Sequence, residues 1–415
     1  MAGGVTLGRD FGRLWAAYAA SAVGTRLAFD AFPLIAITVL HRGAAEVSAL
    51  AALGAAVGAA AAIPLGPWME SRRKRPVMVA ADLVRCAALL SVVAAYALGR
   101  LGFPHLLVAA VVVAASDIAF GAASGAFLKW LVRPDDLVTA QGRLESTNWT
   151  ATVLGPPLGG GLIALLGPVA TVVADAASYV LSAAGLRAIR AEEPPPPCKH
   201  PAGRGSRPGA GDLLAGWRHI LAHPVLRPLF LHTVLVNGLI MAVAPLLAVL
   251  MLGPLGFPPW QYGLAFTVPC LGGLLGARLA GRLVTRFGRH RVLRTAGTLR
   301  ALWSIGLAFV HPGVTGLLLV MAVECALITC TGVFNPVFAA QRLTLTAPDR
   351  VARVLTAWSV TGKISIAALT ALWGLLAVAA GPRTAIALAG VLLLATPLLL
   401  PRREPREEPE PASAP

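Results

Sequence analysis

Gly66-Pro67-Trp68-Met69-Glu70-Ser71-Arg72-Arg73-Lys74-Arg75 follows one long apolar run, and Gly281-Arg282-Leu283-Val284-Thr285-Arg286-Phe287-Gly288-Arg289-His290-Arg291 follows another. The two leading glycines stand 215 positions apart, and Arg85 and Arg300 each lie nineteen residues beyond their glycine. Pro134-Asp135 and Pro348-Asp349 recur at an offset of 214. Three landmarks at one spacing identify a duplicated chain. What is duplicated is set by the apolar runs between them.

Those runs fill most of the 415 residues, of which 57% are hydrophobic and 13% charged. A soluble domain carries roughly 25% charged residues. About 20 apolar residues cross a bilayer as a helix, and only helices or closed barrels satisfy every backbone group in lipid. The runs far exceed the roughly ten-residue alternating segments of a barrel. The expected spans are 14–40, 46–69, 77–99, 103–132, 140–166, 168–189, 226–252, 258–281, 292–311, 313–341, 351–380 and 383–400. The expected fold is an all-α membrane protein of twelve transmembrane helices in two pseudo-symmetric six-helix bundles. Residues 1–190 form the first bundle and 225–402 the second. Between them, 191–224 is a Pro-, Gly- and Arg-rich linker. Its end, Asp212 to His223, reads as an amphipathic helix at the membrane surface. Residues 403–415 read as a disordered tail.

The net charge of +16 is spread over loops, not gathered into a nucleic-acid-binding face. With the N-terminus inside, the outer loops hold only Arg42, Arg100 and Arg383, and all other loop cations fall on the inner side. The positive-inside rule then places both termini in the cytoplasm of a bacterial cell. Arg9 and Arg13 precede a run too long for a signal core, so that run is a retained span. Cys86, Cys198, Cys270, Cys325 and Cys330 form no CxxC pair, and four fall in apolar runs, where they read as small buried hydrophobes.

The pattern Gly66-x-x-x-Glu70-x-x-x-x-Arg75 resembles the loop motif of the major facilitator superfamily, and the Gly281 copy is the weaker second one. Asp82-Leu-Val-Arg85, Asp175-Ala-Ala-Ser-Tyr179 and the stretch Trp217 to Arg227 are similar to its macrolide-efflux and enterobactin-exporter-like branch. The resemblance covers the whole chain. It implies a cytoplasmic charge network of Gly66, Glu70, Arg72, Arg75, Asp82, Arg85, Gly281, Arg286 and Arg300 that locks the halves together. Ser71 stands where the family has an arginine, with Arg72 or Arg73 as stand-ins, and Thr285 replaces the acid of the second copy. The bland alternative is that the run only anchors the loop inside. Gly155-Pro156-x-x-Gly159-Gly160 resembles the fifth-helix motif of drug/proton antiporters in the same superfamily. Glycines there permit close helix approach and the proline a bend; simple packing is the alternative.

Ionisable groups in mid-bilayer cost roughly 2.5–3.5 kcal/mol each on insertion scales and are functional candidates. Arg26 and Asp30 share a helix face in the first span, as a protonation-sensitive or a static pair. Asp117 is a candidate proton or cation carboxylate. Glu324 is another, or faces an outer vestibule. His232 and Asn237 lie in the seventh span, His232 reading as a packing histidine, and Lys363 lies in the eleventh, where it could also snorkel. By resemblance, the first, fourth, seventh and tenth helices line the cavity. Asp175 reads as structural. The chain has no HExxH, no H-x-E with CxxC and no Walker Gly-Lys-Ser/Thr, so an enzyme, a metal site, a cofactor and ATP drive are not expected. The expected function is proton-coupled efflux of a hydrophobic or amphipathic small molecule. Proton-coupled import is the alternative. The partners are the bilayer, that small molecule and protons, with no nucleic acid, and the chain acts as a monomer.

Overall fold

A computed structural model describes residues 7–28, 31–41, 44–193 and 214–401. No strand occurs among them. The first half holds α1 (Gly8–Leu27), α2 (Ala31–Thr38), α3 (Ala44–Ala62), α4 (Leu65–Glu70), α5 (Lys74–Ala97), α6 (Phe103–Leu131), α7 (Leu137–Leu166) and α8 (Pro168–Arg187). A short α9 (Ala215–Ala222) leads into α10 (Leu226–Leu252), α11 (Pro259–Phe287), α12 (Arg289–Leu302), α13 (Val314–Thr344), α14 (Val351–Ala380) and α15 (Pro382–Ala395). Among the described residues, eight helical segments, in α5, α6, α8, α10, α11, α13, α14 and α15, are long and apolar enough to cross a membrane. The other four expected spans correspond to α1 with α2, α3 with α4, α7, and α12. The first is interrupted after Leu27, and α12 passes into a 3₁₀ segment, Trp303–Phe309.

The backbone carries the repeat further than the loop motifs do. Gly167-Pro168 and Gly381-Pro382 also stand 214 positions apart. Both glycines sit at a left-handed φ, +81° and +86°, directly before a helix that starts on proline. Each allows the reversal into the last helix of its half, because Gly tolerates positive φ and Pro at N1 sacrifices no hydrogen bond.

Apolar packing is divided along the bundle. At the end bearing Glu70, Lys129 and Arg353, called the basic end below, one core joins both halves: Met69, Phe127 and Leu128 pack in the same cluster as Phe334, Leu343 and Val351. Toward the opposite end the cores separate. One is built from Leu89, Leu106 and Tyr179 of the first half alone, the other from Leu247, Leu307 and Ile386 of the second. The halves are therefore joined at the basic end and independent at the other. Close contact is made possible by small residues: a Cβ at Gly142 would lie 2.8 Å from the Ala277 carbonyl, and one at Gly273 2.4 Å from the Trp149 ring.

One expectation is refined and one revised. The surface helix expected over 212–223 is α9, and it docks on α14. Ile220 is fully buried, Trp217 Nε1 donates to Thr361 Oγ1 at 2.8 Å, and a Cβ at Gly216 would meet the Arg353 carbonyl at 2.6 Å. Ile220 and Gly216 face protein, while Leu214 and Leu221 remain exposed along the other edge of the helix. The cysteines are not uniformly interior either: Cys86 is buried, but Cys325 is exposed on its helix. Cys198, the linker over 194–213 and the tail from 402 lie outside the described residues.

Candidate functional site

The loop motif forms a contact between halves at the basic end. Helix α4 ends on Glu70, whose Oε2 lies 2.5 Å from Arg353 Nε at the start of α14. Gly66, one turn earlier, packs against the same helix: a Cβ there would lie 3.6 Å from Arg353 Cα, ordinary van der Waals contact. Lys74 Nζ donates to the carbonyls of Met69 and Arg72 at 2.7 and 2.8 Å, which fixes the turn carrying Glu70. Lys129 Nζ crosses to the carbonyls of Leu343 and Thr346 at the end of α13, satisfying acceptors a helix terminus leaves open. Neither Arg72 nor Arg73 stands in for the arginine missing at Ser71. Arg72 lies over the Trp68 ring at 5.8 Å, and the cation that meets Glu70 comes from the other half. Arg75 Nη1 donates to the Ile189 carbonyl. In the second copy, Gly281 faces Thr139, and Arg286 is exposed and lies over the Phe287 ring at 5.2 Å.

Burial pushes the Glu70 carboxyl up to about 7, against the opposing pull of Arg353 and Lys74; Asp349 adds to the rise. Where this loop is solvated, the carboxyl titrates near its ordinary 4.5. The closed arrangement therefore binds a proton more readily than an open one. Closure is favoured progressively as pH falls from about 7 toward 4.5, and above about 7, where the carboxyl is ionised in both arrangements, the balance no longer changes. Spin labels at Thr139 and Arg282, on opposite halves, should show the short-distance population falling as pH rises from 5 to 7 and levelling off above, and Glu70→Gln should flatten that response.

Asp82, Arg85 and Arg300 form no direct contact with the Glu70–Arg353 pair among the described residues. Asp82 and Arg85 lie about 12–17 Å along α5 from its start at Lys74, at 1.5 Å per residue. That depth buries them, with Asp82 0% and Arg85 2% exposed. Arg85 pairs with Asp82 and is held between two rings, 4.3 Å from Tyr179 and 4.7 Å from Phe120. Its Nη1 reaches Asp117 Oδ1 at 3.6 Å. The other oxygen of Asp117 lies 3.5 Å from Lys363 Nζ of the second half. Both separations exceed hydrogen-bond length, so charge holds Asp117 without clamping it. More than half of its side chain is open, while Arg85 beneath it is buried. Asp175, read as structural, accepts from Ser178 and Thr25 next to Tyr179.

Toward α7, Arg26 Nη2 donates to Asn148 Oδ1 at 3.3 Å. Its expected partner Asp30 lies outside the described residues. Gly155 and Gly159 do bring α7 against α1: a Cβ at Gly155 would sit 2.5 Å from Arg26 Cβ, and one at Gly159 2.3 Å from the Leu27 carbonyl. Gly160 faces open space, and the Pro156 side chain is outside what is described. Glu145 is a participant that sequence reasoning passed over. Its Oε1 accepts from Trp149 at 3.0 Å and, across the halves, from Asn335 Nδ2 at 2.8 Å. The available signal was a carboxylate four residues before a tryptophan, inside an expected span.

The second half lacks this carboxylate system. Arg300 repeats Arg85 and lies over Phe334 at 3.7 Å, as Arg85 lies over Phe120. At the positions matching Asp82, Asp117 and Asp175 stand Gly297, Thr331 and Ala389. Arg300 is 0% exposed, and none of its three guanidinium nitrogens has a hydrogen-bond acceptor among the described residues. His232 is equally buried and bonded through Nδ1 to the Thr396 carbonyl at 3.0 Å, which supports its reading as a packing histidine. Glu324 is buried and forms no ion pair among the described residues, so it does not face an open vestibule. Asn237 is exposed on α10. The structure thus brings Asp117, Lys363 and Arg85 together, places Arg26 with Asn148, and leaves Asn237 and Glu324 apart from both groups.

A family model described as Major Facilitator Superfamily matches residues 14–328 and 229–415. Among solved structures, a bacterial homologue of the iron transporter ferroportin in an outward-facing state has a TM-score of 0.79 at 16% identity, covering 94% of this chain and 98% of that one. The human organic anion transporter MFSD10 gives 0.75 at 16%, with 95% and 100% covered. The E. coli fucose:proton symporter gives 0.71 at 15%, with 94% and 97% covered. At these identities the likeness is one of fold. No curated protein matches.

Proposed function

Because the chain belongs to the major facilitator superfamily, and is therefore a multi-pass membrane transporter working by alternating access and not an enzyme, we propose that it is a proton-coupled exporter of hydrophobic or amphipathic small molecules. The observation that carries this reading is Asp117, placed between Arg85 of its own half and Lys363 of the other. A carboxylate in that position links the halves while ionised and releases them when protonated. Neutralising it leaves Arg85 its pair with Asp82 but removes the only carboxylate within ion-pair distance of Lys363 among the described residues. Proton binding is thereby tied to separation of α6 from α14.

Orientation follows from charge. With the basic end cytoplasmic, the inner membrane of a bacterium is the setting, and the joined core at that end makes this conformer outward-facing. Asp117 is then reached from the outside. One elementary charge moved through 100 mV supplies about 2.3 kcal/mol, and a substrate that competes with the proton for this region is expelled as the proton enters. Export over import is supported by the close α1–α7 contact at Gly155 and Gly159, together with the resemblance of that segment to drug/proton antiporters and of the chain to the macrolide-efflux branch. Spans with few charges suit an apolar or amphipathic cargo. Expression in a drug-sensitive host tests the direction: accumulation of some compound in a panel of hydrophobic antibiotics and dyes should fall, and a protonophore should restore it. Accumulation that rises with expression would instead mark an importer.

A further inference from the structure

We propose that the basic ends of α5 and α8 form a binding site for one anionic phospholipid. A cavity of about 560 Å³ opens there, lined by Arg73, Arg75, Arg187 and Arg190, with Pro76 and Ile189 as its apolar floor. Two carboxylates also border it. Glu193 is already engaged, accepting the backbone N–H groups of Lys74 and Arg75 at the start of α5. Glu192 is the second. Arg75 donates through Nη1 to the Ile189 carbonyl. Arg73, Arg187 and Arg190 form no ion pair among the described residues. The cavity therefore gathers four guanidinium groups against two carboxylates, one of them committed to capping a helix. Guanidinium forks match phosphate oxygens in shape as well as charge.

What distinguishes a lipid from a free phosphate is the surface leading away from the cavity. On α5, exposed positions recur from Pro76 through Ala80, Leu83, Val84, Ala87 and Leu90 at helical spacing. On α8 they recur from Arg187 through Ala184, Leu181, Val180, Ala177 and Val173. Both stripes are apolar beyond the arginine, both belong to helices of membrane-crossing length, and the two helices pack against each other. A phosphodiester headgroup in the cavity would thus have its acyl chains laid along two adjoining apolar stripes. Basic pockets at helix ends facing the anionic leaflet are suited to such headgroups. Glu193 and the cavity sit where the linker leaves α8, so the lipid would also brace the connection between halves.

The test uses the full chain, purified in detergent and observed by native mass spectrometry with added phosphatidylglycerol or phosphatidylcholine. One phosphatidylglycerol should be retained at about tenfold lower concentration than phosphatidylcholine. In Arg73→Ala/Arg187→Ala/Arg190→Ala that preference should vanish. A charge-matched control, Arg282→Ala/Arg291→Ala/Arg294→Ala, should keep it, which separates a site from general attraction to a cationic protein. Inorganic phosphate should not displace the lipid at millimolar concentration. Equal retention of both lipids, equal loss in the two triple variants, or displacement by phosphate would each overturn the proposal. The melting temperature of each variant without added lipid shows that it is folded, and an Arg→Gln triple variant, which also removes the charge, replaces any that is not.

Discussion

Replacing Arg85 with Met should destabilise the protein by about 3–5 kcal/mol, whereas the same change at Arg300 should leave stability within about 2 kcal/mol of the parent or raise it. The two arginines occupy matching places in the repeat, lie over matching phenylalanines and are both buried. Their surroundings differ. Removing Arg85 strands Asp82, which is 0% exposed, and takes a cation from Asp117. A buried charge deprived of its partner is among the costliest defects a point mutation can create. Removing Arg300 strands nothing, because no described carboxylate faces it and its nitrogens have no acceptor. What it loses is a desolvated cation–π contact of about 2 kcal/mol, offset by no longer holding a guanidinium out of water. Thermal unfolding in detergent reads the asymmetry: a fall of roughly 5–10 °C for Arg85→Met, scaled from smaller domains, and no fall beyond a few degrees for Arg300→Met. Equal losses would mean that Arg300 has a counter-charge after all.

Much of this was legible in the sequence, and the remainder failed for identifiable reasons. The duplication, the loop motif and the apolar runs are local or periodic features, so Gly66, Glu70 and the offset near 215 announced the family's architecture directly. The partner of Glu70 was not legible. Arg353 is 283 positions away, and nothing in a sequence ranks it above the other cations of the same end. The pairing of Asp82 and Arg85 with each other, apart from Glu70, follows from depth: eight to eleven residues of helix beyond Lys74 is already about 12–17 Å. Asp117 and Lys363 were both recognised as intramembrane charges, but as separate ones. Only the packing of α6 on α14 makes them a pair. Glu145 was missed for the converse reason. Its partner Asn335 comes from the other half, and its own span looked like a glycine-rich packing helix.

The second large effect concerns Asp117. Asn keeps the shape and can still face Lys363, but cannot carry or release a proton. If the carboxylate is the coupling group, Asp117→Asn should uncouple transport instead of abolishing binding: downhill exchange of cargo survives, and accumulation against a gradient is lost. Lys363→Met leaves the carboxylate held at 3.6 Å by Arg85 of its own half but removes its partner in the other half, so it should also uncouple transport while Asp117 can still take up a proton. A cargo-independent structural role for Asp117 would instead lower exchange and coupling together.

The most direct measurement is proton movement itself. The purified chain is reconstituted into liposomes containing a pH-sensitive dye, and a compound exported in the accumulation panel is applied down its gradient. The wild-type protein should move protons opposite to the compound, while Asp117→Asn should exchange the compound at a comparable rate with no proton flux. Undiminished proton flux in Asp117→Asn would contradict the assignment of Asp117 as the group that couples the two halves.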